Sequence, residues 1–289
     1  MFRLLLSLLL VCSLLSGCAE PSEQAAHDMA EAHQHERPVA TGLFQGVKIP
    51  VREEMVTYGM VEGSAVAGFM AAPANPDSVL QAQGRPAGSA LPALLVIHEW
   101  WGLNDNIRNM ARQLAAEGYR ALAVDLYGGH VATTPDAAQA FMQQALDQLP
   151  TTRTNLLSAY AYLTNQEGAP RIAALGWCFG GGMALQAALA LPDQLDAAVI
   201  YYGDVAAPRE QLATLQMPVL GIFGANDQWL TPEKARAFEA TLQELGKDVA
   251  VHVYDGADHG FANPSGERFN EPAARDAWEK TLAFLKTHL

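Results

Sequence analysis

Five stretches of this chain are apolar over the full length of a strand: "ALLVI", "ALAV", "IAALGW", "AAVIYYG" and "PVLGIFG". A strand that alternates polar and apolar residues can leave one face in water. A strand apolar at every position needs cover on both faces, which a mostly parallel sheet flanked by helices provides. Helical patterns alternate with these runs. "NDNIRNMARQLAAEG" has a polar start and ends at Gly118, and "TPDAAQAFMQQAL", "TTRTNLLSAYAYLTNQ", "CFGGGMALQAALAL" and "TPEKARAFEATLQELG" follow in turn. "EMVTYG" and "AVAGFMA" read as two strands meeting across "MVEGS", a hairpin-like turn, and "VAVHVYDG" adds another strand. A Pro-, Gly- and Ala-rich loop is expected from Pro73 to Pro92, and a last helix begins near Glu271. The expectation is an α/β fold with a mostly parallel central sheet of about eight strands and helices on both faces. Neither an internal repeat nor a second domain is visible.

The first residues read as an address rather than as fold. Arg3 precedes the apolar run Leu4 to Leu15, which is too short to span a bilayer comfortably, and the run ends in Leu15-Ser16-Gly17-Cys18. This resembles the lipobox of bacterial lipoproteins, which implies a signal peptide over 1–17 and acylation of Cys18 as the first residue of the mature chain. Several acyl chains would hold the protein firmly at a membrane. Ala19 at the following position implies sorting to the periplasmic side of an outer membrane, if the cell has one. From 18 to 46 the sequence is polar and Ala/Glu/Gln/His-rich, which reads as a tether. Its His27, His33 and His35 have no accompanying Cys or firm ligand spacing, so no metal site is expected. The formal net charge of -13, with no Lys/Arg-rich tract, argues against nucleic acid as a partner.

Cys12 would be removed and Cys18 lipidated, which leaves Cys178 as the single thiol of the domain. It sits in "LGWCFGGG", where Gly176-Trp177-Cys178-Phe179-Gly180 fits the G-x-nucleophile-x-G elbow of α/β-hydrolases with Cys in place of Ser. The demand is steric, because a nucleophile on a strained strand-to-helix turn needs neighbours without bulk two residues away. Partners follow in the order that fold uses: Asp227 just past "PVLGIFG", and His259 on the loop after "VAVHVYDG". Asp125, Asp255 and Asp258 are rival acids whose ordinary roles are caps and loop solvation, and His252 lies inside a strand. In the Cys178, Asp227 and His259 set, the imidazole takes the thiol proton and the carboxylate fixes its tautomer. The backbone N–H of Phe179 is one oxyanion donor, and the loop after "LLVIHE" is expected to supply another.

That loop, "HEWWGLN", excludes a zinc-protease reading, because the second histidine of H-E-x-x-H falls on Gly102. With Glu99, Trp100, Gly102-Leu103-Asn104, the "GWCFGG" elbow, Asp125-Leu126-Tyr127, Tyr201 to Gly203 and "DHGF", the chain resembles the dienelactone hydrolase family. The resemblance runs from about residue 50 to the end, and 47–289 is expected to form one α/β-hydrolase domain. It implies a small-molecule lactone substrate, no cofactor, a Cys-His-Asp triad, control of the thiol proton by Glu99 and completion of the oxyanion hole by the N–H of Trp100. Physically, an ionised Glu99 beside the thiol would disfavour thiolate. In family members of dienelactone specificity two arginines hold the substrate carboxylate. One of those positions is Asn263 here, and no Lys or Arg occurs between Arg120 and Arg153 to supply the other. Arg108 and Arg153 remain as substitutes.

Thiolate is itself readily expelled from a tetrahedral intermediate, so enol lactones, aryl esters and thioesters suit this nucleophile better than amides. Trp101, Tyr127, Trp177 and Trp229 fall in the motif loops or beside them and are the candidate lining of a flat apolar pocket. Two other readings stand beside lactone hydrolysis: a general carboxylesterase, and a non-catalytic or metal-scavenging lipoprotein that uses the fold as a scaffold. Nothing in the sequence fixes the oligomeric state, and a monomer is the simpler expectation.

Overall fold

The computed structural model describes residues 49–289. The signal-like segment, Cys18 and the tether histidines lie outside the described residues.

The five apolar runs are all strands. In chain order the sheet is built from β1 (Val51–Val61), β2 (Ser64–Pro73), β3 (Ala93–Ile97), β4 (Arg120–Val124), β5 (Ile172–Trp177), β6 (Ala197–Tyr201), β7 (Val219–Gly224) and β8 (Val249–Tyr254). They form one eight-stranded sheet in the order β1-β2-β4-β3-β5-β6-β7-β8. The β1–β2 and β2–β4 pairs are antiparallel, and every pair from β4 onward is parallel. Every residue of β3, β5, β6 and β7 is buried, whereas the edge strand β1 is largely exposed. The hairpin closes on Glu62 and Gly63, both at positive φ (49° and 79°), the geometry of a two-residue turn matched to strand twist.

The helices are α1 (Pro76–Ala82), α2 (Asp105–Ala116), α3 (Pro135–Asp147), α4 (Leu149–Asn165), α5 (Phe179–Ala190), α6 (Arg209–Leu212), α7 (Pro232–Glu244) and α8 (Glu271–His288). The expected loop between Pro73 and Pro92 therefore contains a helix. Asn75 caps α1 by accepting from the Ser78 N–H (3.2 Å), Pro76 starts it, and Val79 and Leu80 bury against Leu91. Two turns of helix inside a Pro- and Gly-rich composition leave little periodicity to read.

Parallel pairing sets the level of the strand ends. Ile97 of β3 is opposite Gly176 of β5, Trp177 opposite Tyr201 of β6, and Gly224 of β7 opposite Tyr254 of β8. Segments that leave these carboxyl ends therefore emerge at one edge of the sheet. Consecutive connections also diverge here, because β3 leads to β4 on one side and the chain returns to β5 on the other. Such a switch point opens a crevice outside the strand ends.

Candidate active site

Cys178 stands between β5 and α5 with φ 54° and ψ -121°, a backbone region that residues with a Cβ rarely adopt. A conformation of this kind costs about 1–3 kcal/mol and persists only where its surroundings fix it. Two features do so. The Cys178 N–H donates to Tyr201 O (3.0 Å), and the turn is packed so closely that a Cβ on Gly176 would collide with the Gly180 carbonyl. A Cβ on Gly181 would stand 2.6 Å from Tyr201 O, so the glycines after the cysteine let α5 lie against β6. The steric reading of "LGWCFGGG" is thus met at the backbone level. Phe179, as the first residue of α5, has an N–H with no acceptor inside the helix.

Asp227 and His259 arrive from the ends of β7 and β8. The His259 Nδ1–H donates to Asp227 Oδ2 (2.8 Å). The other carboxylate oxygen accepts from the N–H groups of Trp229 and Leu230, both at 2.9 Å. Burial works against ionisation of Asp227, but the charge and hydrogen bond of His259 and the two backbone donors outweigh it, and its pKa lies below the usual carboxylate range. For His259 burial also opposes the charged form. The Cys178 sulfur, the Asp227 carboxylate and hydrogen bonds to both outweigh it and push the imidazole up to about 10. With Nδ1 committed to Asp227, Nε2 is the nitrogen left for the Cys178 sulfur, which lies close enough to act on the charge of the ring. All three residues are at most 4% exposed, so these charges act with little screening by water. The rival acids are engaged elsewhere or open to solvent. Asp125 accepts from the N–H groups of Tyr127 and Gly129 in the turn after β4, Asp255 is exposed and Asp258 is half-buried.

Glu99 is two residues beyond Ile97, as Cys178 is two beyond its partner Gly176, so the two leave adjacent strands at the same level. His98 secures this segment. Its Nε2 accepts from the Leu126 N–H (3.1 Å), which makes Nδ1 the protonated nitrogen donating to Glu99 O (2.6 Å), and burial keeps its pKa low. Asn104 caps α2 by accepting from the Ile107 N–H (3.1 Å), which accounts for the asparagine of "GLN". Trp100 follows Glu99 into this turn and packs edge-on against Trp101, both fully buried, with ring centroids 5.0 Å apart.

The aromatic candidates occupy different places. Trp177 lines a narrow cleft together with Glu99, Asn106, Ile107, Met110, Tyr202 and others. Trp229 stands edge-on to the His259 ring (5.3 Å), with the Arg268 guanidinium over its indole (5.7 Å). Tyr127 packs on Phe179 (5.6 Å) and has a buried hydroxyl. Burial first, then the charges of Cys178 and Asp125, push its pKa well above the ordinary phenol value. Trp101 is buried behind Trp100.

Two residues named in the sequence only as a motif match and a departure from it take up definite contacts in the site. Tyr202 packs its ring 5.2 Å from that of His259 and carries a positive φ of 35°. Asn263 donates from Nδ2 to Glu99 Oε2 at 2.8 Å, so the position that resemblance assigned to a carboxylate-binding arginine here holds an acid of the protein itself. The clue was the departure from the family pattern, but its partner lies 164 positions away and was invisible. The substitute arginines point elsewhere. Arg153 donates to Gln186 on α5, and Arg108 reaches Asp105 and the Phe69 ring. Among the described residues no group of three or more His, Cys, Asp or Glu could hold a metal ion.

An eight-stranded, mostly parallel sheet with candidate nucleophile, acid and histidine in this order at its carboxyl ends is the architecture of an α/β-hydrolase. Within that class the chain belongs to the dienelactone hydrolase family, whose description residues 81–289 match. A Saccharolobus solfataricus protein provisionally named a carboxymethylenebutenolidase is 31% identical, over 78% of this chain and 95% of that protein. A protein of Aquifex aeolicus with the same provisional name is 30% identical, over 68% of this chain and 89% of that protein. The crystal structure of a Klebsiella pneumoniae protein provisionally assigned as a dienelactone hydrolase superposes with a TM-score of 0.69. At 24% identity it covers 81% of this chain and 98% of that one, and it bears on the fold alone. The chain is a hydrolase of this family, acting on small-molecule esters or lactones.

Proposed function

We propose that this protein opens lactones or activated esters through an acyl-cysteine intermediate on Cys178. The observation that carries the reading is the buried pair in which His259 bonds Asp227 through Nδ1 and leaves Nε2 for the Cys178 sulfur. Sγ attacks the acyl carbon while the proton between sulfur and imidazole is held by His259, whose raised pKa favours the charged ring. Negative charge gathers on the former carbonyl oxygen, where the N–H groups of Phe179 and Trp100 are the proposed donors. The C–O bond to the leaving oxygen then breaks, and that oxygen recovers the proton from His259. In a lactone the leaving oxygen stays tethered as the new hydroxyl or enol. Water, deprotonated by the same imidazole, finally cleaves the thioester and restores the thiol. The provisional names of the relatives favour a lactone among these substrates. The test is turnover of enol lactones and aryl esters before and after alkylation of Cys178, the free thiol of the described residues. Turnover that survives complete alkylation would sink the reading.

Glu99 enters as a brake. Held by Asn263, its carboxylate lies beside the segment that leads to the thiol and disfavours a second negative charge there. Glu99→Gln is expected to speed oxidation of Cys178 by peroxide several-fold, because the thiolate is the reacting form. Thiol loss followed by mass spectrometry measures this, and an unchanged rate would remove the protective role.

The lipobox-like "LSGC" supports an exported protein held to a membrane by acylated Cys18, on the periplasmic side of the outer membrane in a cell that has one. Cys18→Ala is expected to move the protein out of the membrane fraction of cells that make it. Equal partitioning of the two forms would count against the anchor.

A further inference from the structure

The cleft beside Glu99 has an unusual chemical lining. Its walls are apolar, from Ile107, Met110, Trp177 and Ala262, and its polar end holds Glu99, Asn106 and Asn263. As it stands there is room for a group about the size of one water molecule.

The orientation of both amides follows from donors that cannot be reversed. The backbone N–H of Ser265 donates to Asn263 Oδ1 (2.9 Å), which leaves Asn263 Nδ2 as the donor to Glu99 (2.8 Å). Ser265 Oγ adds a second donor to the same Oδ1 (2.6 Å). Asn106 meets this oxygen at 3.3 Å, so it must present Nδ2 there. Asn106 Oδ1 is then a buried acceptor without a hydrogen-bond partner, on a residue 3% exposed. A buried polar atom of this kind is costly to leave unmatched, and it marks where a donor fits.

Resting on the hydrolase reading above, we propose that this cleft is a specificity subsite for a hydroxyl carried by the substrate, next to the ester or lactone carbonyl that Cys178 attacks. The hydroxyl donates to Asn106 Oδ1, and the apolar walls cover the carbon that bears it. A carboxylate is refused at the same place. It would meet a second acceptor in Asn106 and a like charge in Glu99, and no Lys or Arg lines the cleft. Arg268 lies over Trp229, whose ring stands against His259, and is not among the residues that line the cleft. The cleft borders the reacting groups through Glu99 and through Tyr202, whose ring packs on His259. A match or mismatch there therefore reaches the chemistry.

The experiment compares kcat/KM of the full-length protein on matched aryl esters or lactones that differ at one position: hydrogen, hydroxyl, methoxy or carboxylate. The hydroxyl member is expected to exceed the hydrogen and methoxy members on the order of tenfold or more, with the carboxylate member slowest. Asn106→Leu is expected to bring the hydroxyl-to-hydrogen ratio close to one. The methoxy comparison needs no variant, so the proposal stays exposed even if Asn106→Leu does not fold. Equal rates for hydroxyl and hydrogen in the wild type would overturn the subsite, as would fastest turnover of the carboxylate member, which would make Arg268 the anchor to examine. Absence of Cys178-dependent turnover across the whole set would instead overturn the hydrolase reading and the subsite with it.

Discussion

Cys178→Ala is expected to lower kcat/KM on aryl esters and lactones by at least about 10³-fold while the protein stays folded. The loss is large because Sγ forms the covalent bond that divides one difficult step into two, and neither His259 nor the oxyanion donors replace a missing nucleophile. The fold should survive for a local reason. Alanine keeps the Cβ and the Cys178 N–H bond to Tyr201 O, and it gives up a single buried sulfur atom. The positive φ of 54° is no worse for alanine than for cysteine. Circular dichroism melts of both forms make the rate comparison interpretable. Residual activity within tenfold of wild type, on a folded variant, would mean that another group or water attacks the acyl carbon.

Asp227→Asn is expected to cost on the order of 10⁴-fold in kcat, with a characteristic change in pH profile. Asp227 Oδ2 accepts the Nδ1–H of His259, and an amide that presents its NH₂ there would favour the other tautomer, with Nε2 protonated and unable to take the thiol proton. The direction of the pH effect follows from the charges. The imidazole is pushed up to about 10 partly by the Asp227 carboxylate. Removal of that negative charge weakens the hold on the proton. The alkaline limb of kcat/KM therefore moves to lower pH, while the plateau falls. A lower plateau with an unmoved alkaline limb would show that Asp227 positions the ring without supporting its charge.

The chemistry of the site was largely legible along the chain because each part is a local pattern. Gly176, Cys178 and Gly180 meet a steric demand within five residues, and Asp227 and His259 each follow closely on a recognisable strand end. Short elements without a period were harder to see. α1 is held by a cap and three buried side chains, and the four-residue α6 is shorter than any helical repeat that could reveal it. Tyr202 looked like the end of an apolar strand, and only the approach of β6 to the β8 loop gives it a histidine to pack against.

What the sequence determined by itself is the layered α/β fold and the order of nucleophile, acid and histidine. Apolar strands buried on both faces and the clearance around a strained turn are demands that neighbouring residues impose on one another. What only the tertiary structure decided is how the carboxyl ends of β3, β5, β6, β7 and β8 share one level, and what each polar group then finds there. Asn263 beside Glu99 and Asn106 turned by Asn263 are pairings across the sheet edge, while Arg108 and Arg153 are engaged by Asp105 and Gln186 on the helices. A hydrogen bond acts over about 3 Å, and separation along the chain says nothing about which groups come that close.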